Sequence, residues 1–165
     1  MPEASSLTFI PTRILVPMDF SPSSLAALEM ATDLAGHYHA LLCLVHVVPV
    51  FITSTVPDFF PEAKFLDHAR KGAEGRFAAY QMDLAAKGIE VNYFIEEGND
   101  TAGNILRVAE REKIDFIVIT THGLTGWHPH VFGSTAEKVV KLAQCPLLLL
   151  RTSKPETGAS SATAQ

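Results

Sequence analysis

The residues with the clearest chemical potential lie between positions 120 and 135, in the segment TTHGLTGWHPHVFGST. Gly123 and Gly126 permit tight backbone turns. Gly133-Ser134-Thr135 opens a helix-like stretch whose first free N–H groups point back at the loop. A helix start carries roughly half a positive charge, so with two hydroxyls beside it the segment is a cradle for a di- or triphosphate that needs no lysine. The lysine-bearing phosphate loop G-x-x-x-x-G-K-S/T is absent. Taken alone, such glycines only let a long loop turn, and Ser134 or Thr135 only caps its helix; the position after a strand and before a helix is what turns the reading toward an anion.

Asp19 ends an apolar run, where a carboxylate accepts hydrogen bonds from ribose hydroxyls or an adenine amine. The same spacing suits a cap on the following helix shared with Ser21, and spacing alone leaves both roles open. His46 lies within an apolar run and reads as a hydrogen-bonded core histidine, while Val47 and Val48 after it offer an apolar wall for a purine. His122, His128 and His130 fall within nine residues of one loop. No acidic residue or cysteine joins them there, so they read as solvated or phosphate-facing imidazoles rather than a metal site. Trp127 suits a stacking, lid or partner-contact role equally. For catalysis the loop offers Ser134 and His122, but no carboxylate is placed to orient the histidine, and no G-x-S-x-G elbow is present. Binding, not turnover, is the expected chemistry.

These residues need elements to position them. Arg13 to Met18 (RILVPM) reads as a strand, and Ser21-Pro22 supplies an N-cap followed by the residue best tolerated at the first helical position. Leu25, Leu28, Ala31 and Ala35 recur at helical spacing, so a helix is expected from Pro22 to Ala35 with Gly36 closing it. Ala40 to Val48 is almost continuously apolar, the pattern of a strand covered on both faces. A loop with two prolines follows from Val50 to Pro61, then a long helix from Glu62 to Lys87 stopping at Gly88. Ile89 to Ile95 alternates partly and suits a strand near a sheet edge, and Asp100 can cap a helix from Thr101 to Lys113. Phe116 to Thr120 is a fourth strand, Ser134 to Gln144 a last helix and Pro146 to Arg151 a fifth strand. Such alternation implies a doubly wound, mostly parallel α/β sheet, with ligands held beyond the carboxyl ends of the strands.

Composition sets the outer limits. The chain has 165 residues, 47% of them hydrophobic, enough for one substantial core. A formal net charge of −5 gives no general attraction to nucleic acids or anionic membranes. No stretch approaches the ~20 apolar residues of a membrane span, and the first residues lack a secretory pattern, so a cytoplasmic protein is expected. Cys43 and Cys145 sit in or beside apolar runs and read as small buried hydrophobes, not as a disulfide. The expected division is an extension over 1–12, one domain over 13–151 and a disordered polar tail over 152–165.

The sequence resembles the universal stress protein family over nearly all of 13–151. That family's nucleotide motif is Gly, two residues, Gly, nine residues, Gly and Ser or Thr, which falls here on Thr120, Gly123, Gly133 and Ser134. ILVPMDFS, LVHVV, EEGNDTAGNILRVAE and GSTAEKVVKLAQCPLLLLR are similar to it in the same order. The resemblance implies a five-stranded parallel sheet sandwiched by helices, the adenine nucleotide alpha-hydrolase-like, Rossmann-like fold. It further implies ATP as ligand, with Mg or Mn carried on the phosphates, in a stress-response sensor or switch with little or no hydrolysis. Asp19 would contact ribose or base; Pro17, Met18 and Val47 would frame the adenine. His122, Gly123, Gly133, Ser134 and Thr135 would stand around the phosphates, with Thr120 replacing the motif's first glycine and Leu124 standing where many members have Arg or Lys. A homodimer through the last strand is also implied, and the apolar PLLLLR run points the same way, because an uncovered leucine edge invites pairing. The alternative is a dimeric interaction protein of the same fold without nucleotide.

Overall fold

The computed structural model describes residues 9–50, 62–121 and 133–151. Strands and helices alternate as β1 (Arg13–Pro17), α1 (Pro22–Tyr38), β2 (Leu41–Val48), α2 (Glu62–Ala86), β3 (Val91–Glu97), α3 (Thr101–Arg111), β4 (Phe116–Thr120), α4 (Ser134–Leu142) and β5 (Leu147–Leu150). All pairings are parallel and the order is β3-β2-β1-β4-β5. The chain therefore winds outward from β1 to β3, crosses back beside β1 and winds the other way to β5. The reversal point lies between β1 and β4.

The pleat sorts side chains onto two cores. Ile14, Val16, Leu42, Leu44 and Val118 face α1 and α2. Leu15, Cys43, Val45, Ile117 and Ile119 face α3 and α4. Successive strand residues point to opposite faces, so a strand covered on both sides must be apolar at every position, as β2 is. β3 lies at one edge, as its mixed sequence implies, and β5 at the other.

Three helix ends differ from expectation by two residues or more. Gly36 does not close α1, which runs on until His39 turns left-handed at φ 56° and Ala40 N–H reaches the Ala35 carbonyl at 3.0 Å. Gly36 instead lies inside the helix, where an added Cβ would meet Ile89 Cδ1 at 3.4 Å, an ordinary contact. α3 ends at Arg111, with Lys113 at φ 53° and Ile114 N–H bonded to the Ala109 carbonyl at 2.8 Å, the same closure with a lysine in glycine's usual place. α4 ends at Leu142, and Ala143 is already extended, which lets Pro146 offer its carbonyl to Ile117 N–H at 3.1 Å and start β5 in register. The strand expected over Ile89 to Ile95 sits two residues later. The proline-bearing loop expected over 50–61 falls largely, and the tail over 152–165 entirely, outside the described residues.

Candidate functional site

In an open parallel sheet the crevice lies outside the carboxyl ends of the strands where winding reverses, here beyond Pro17 and Thr120. The main chain assembles it. Gly133 N–H donates to the Thr121 carbonyl at 2.8 Å, and Thr121 N–H to the Leu150 carbonyl at 3.0 Å, so α4 starts directly above the ends of β4 and β5. Gly133 is the N-cap of α4, in extended conformation and without a side-chain capping bond. Ser134, exposed, and Thr135, half-buried, are thus the first two helical residues, and neither is the cap. The first-turn amides carry the positive end of the α4 dipole at this edge.

Beyond β1, Met18 N–H donates to the Val45 carbonyl at 2.7 Å. The Met18 carbonyl lies 2.7 Å from His46 Nδ1, and since a carbonyl only accepts, that nitrogen carries the proton. Asp19, half-buried, accepts at Oδ1 from Ser21 N–H at 3.0 Å and Ser21 Oγ at 2.5 Å. Ser21 Oγ in turn accepts from Ser24 N–H at 3.1 Å, so carboxylate and hydroxyl cap α1 in relay. The capping role that spacing left open is therefore occupied, and it also fixes the carboxylate at the rim of the crevice.

The purine-framing set divides. Val47 lies on the α3/α4 side of the sheet, and alternation puts Pro17, two residues after Leu15, on that side. Met18 points the other way, its side chain 3% exposed within the α1/α2 core, so it meets the crevice only through its backbone. Thr120, 8% exposed, follows Ile119 of the α3/α4 core and so turns toward α1, away from the α4 start. His122, Gly123, Leu124 and the rest of 122–132 lie outside the described residues.

Two contributors were not anticipated. Phe20 has φ 62°, which costs a non-glycine residue roughly 1–2 kcal/mol. Its ring is held 4.7 Å from His46, 5.3 Å from Phe77 and 6.5 Å from Tyr80, with the Arg76 guanidinium 4.8 Å from its centroid. Lys138 bonds the Asp100 carboxylate at 2.9 and 3.0 Å, tying α4 to the N-cap of α3. The Gly103 amide and then Lys138 hold the Asp100 carboxyl below its ordinary range. Local sequence carries no signal for the Phe20 turn, since the residues that grip its ring lie in β2 and α2. Among the described residues no group of three or more histidine, cysteine or acidic side chains is placed to hold a metal ion. A groove of about 430 Å³ runs along α3 past Leu142 and Cys145 toward the amino ends of β4 and β5, separate from this crevice.

Known proteins resemble the chain over the same span. Residues 11–151 match the universal stress protein family. A universal stress protein of Methanocaldococcus jannaschii is 31% identical over 146 residues, covering 87% of this chain and 84% of the relative. One from Methanothermobacter thermautotrophicus is 45% identical over 130 residues, covering 76% and 86%. The solved universal stress protein UspA from Lactobacillus plantarum superposes with a TM-score of 0.77 at 27% identity, over 87% of this chain and 100% of its own. Two universal stress proteins at 20% identity share the fold: one from Archaeoglobus fulgidus in complex with dAMP, TM-score 0.62 over 86% and 98%, and one in complex with cAMP, TM-score 0.59 over 88% and 100%. On the span and strength of these matches, the chain belongs to the universal stress protein family.

Proposed function

We propose that this protein binds ATP across the carboxyl edge between β1 and β4 and works as a cytoplasmic stress-response sensor or switch with little or no hydrolysis. The observation that carries the reading is the seat of α4: a helix start without a side-chain cap, fastened by Gly133 to Thr121 at the point where the sheet reverses. Phosphates would lie over the amides of Gly133, Ser134 and Thr135, the ribose against Asp19, and the adenine between Pro17 and Val47. The family members that hold dAMP and cAMP support an adenine ligand. Any Mg or Mn would ride on the phosphates.

Isothermal calorimetry of the nucleotide-stripped protein with ATP tests the reading. Saturable heat and a raised melting temperature are expected, since ligand at 100 times Kd stabilises by about 2.7 kcal/mol. Gly133→Val, which puts a branched side chain where phosphate would approach, should remove most of the heat and leave the fold intact. No heat and no melting shift with millimolar ATP, ADP or AMP would sink nucleotide binding. The interaction-protein reading would then stand, favoured by the half-buried leucines of the β5 edge.

A further inference from the structure

We propose that Phe20 is a positioning residue for Asp19: a clamp built by β2 and α2 grips its ring, fixes the left-handed turn of its backbone, and so aims the Asp19 carboxylate at the ribose of the nucleotide. The inference rests on the nucleotide reading above and deepens it. Its starting point is the turn. With Phe20 at φ 62°, the chain folds back so that Asp19 Oδ1 meets both the amide and the hydroxyl of Ser21. A phenylalanine prefers extended or right-handed conformations, in which Ser21 and the start of α1 would stand at a different angle to the Asp19 carboxylate.

Glycine adopts this conformation without strain, so a phenylalanine here is held by its ring and not by backbone preference. The grip comes from two elements at once. β2 supplies His46, which also holds the Met18 carbonyl one residue before Asp19. α2 supplies Phe77, fully buried and itself 5.1 Å from Tyr93 of β3, then Tyr80, with Arg76 over the ring. Both neighbours of Asp19 in the chain are thereby anchored: Met18 through its carbonyl, Phe20 through its ring. The carboxylate between them has little freedom to move, which is what recognition of two vicinal hydroxyls requires.

Calorimetry on the full chain with ATP and with 2′,3′-dideoxy-ATP separates positioning from mere folding, because the second nucleotide keeps base and phosphates but lacks the hydroxyls. The parent should prefer ATP by about tenfold or more, the worth of a hydrogen bond to a charged acceptor. In Phe20→Ala that preference should collapse, ATP weakening to the dideoxy level while dideoxy-ATP binds as before. Phe20→Gly, which accepts the turn but has no ring to anchor it, should keep more of the preference than Phe20→Ala and less than the parent. If those variants fail to fold, Arg76→Gln at an exposed position decides, and a lowered ratio is expected. A ratio unchanged in the folded variants, or equal losses for both nucleotides, overturns the proposal. A parent that binds both nucleotides equally overturns it and leaves nucleotide binding standing; a parent that binds neither removes both.

Discussion

At the scale of single residues, the unit that matters is Asp19-Phe20-Ser21. The sequence placed Asp19 beyond a strand and offered it two roles, ligand acceptor or helix cap. The structure shows why spacing did not choose: one oxygen caps α1 through Ser21, and the capping geometry itself holds the carboxylate at the crevice. Ser21 is 3% exposed, so its removal leaves Ser24 N–H short of an acceptor in a place water reaches poorly. Ser21→Ala is therefore expected to destabilise the protein by about 1–2 kcal/mol, the upper part of the range for a lost N-cap, read from urea denaturation midpoints. Ser21→Gly should cost less, because an N-cap glycine loses only tenths of a kcal/mol against serine. Equal stability of Ser21→Ala and the parent would show that the relay does not hold α1. The turn at Phe20 was not legible from sequence, because its left-handed backbone is imposed by Phe77, Tyr80 and Arg76, more than fifty residues further along the chain.

At the scale of elements, what was legible followed hydrophobic period, and what was missed followed tertiary closure. Strands β1, β2 and β4 were readable because a sheet covered on both faces admits no polar alternation, and the caps at Ser21 and Asp100 were readable because each needs only its own neighbours. Helix ends were not, because the left-handed closures fall on His39 and Lys113, which carry no glycine signal, and Ala143 leaves the helix so that Pro146 enters the register of β5. The start of α3 gives a titration to check. The Gly103 amide and Lys138 stabilise the ionised form of Asp100, so its folded value is depressed. The contribution is then fully present above the carboxyl's unfolded value and disappears as pH falls through the lower, folded one. Amide exchange at Gly103 should accelerate in that acidic window. In Lys138→Met the Asp100 carboxyl should rise only part of the way to its ordinary range, since the amide is the larger cause and remains. A full return, followed by carboxyl chemical shift, would show that Lys138 rather than the helix start governs Asp100.

At the scale of the whole molecule, the two edges of the sheet, among the described residues, differ in charge. β3 carries Glu96 and Glu97, paired with Arg111 and Arg70, so its flank is charged and closed to further pairing. β5 is four leucines, each half-buried, and presents an uncharged edge. The helix above continues that surface: Lys138, by its Asp100 bridge, and Leu142, by the groove it lines, mark the flank of α4 that faces α3, so Val140 lies on the opposite flank, over the β5 edge, and is 40% exposed. An apolar strand edge with an apolar helix flank beside it fits a second copy of itself, which would meet it about a two-fold axis and pair β5 with β5. Sedimentation equilibrium should therefore show a dimer at micromolar concentration. Val140→Glu should raise the dimer dissociation constant by about tenfold or more, as burying an unpaired carboxylate requires, and barely alter the melting of the monomer, since the site is half open to water there. A monomer in the parent, or a dimer indifferent to the glutamate, would mean that the leucine edge of β5 meets something other than its own copy.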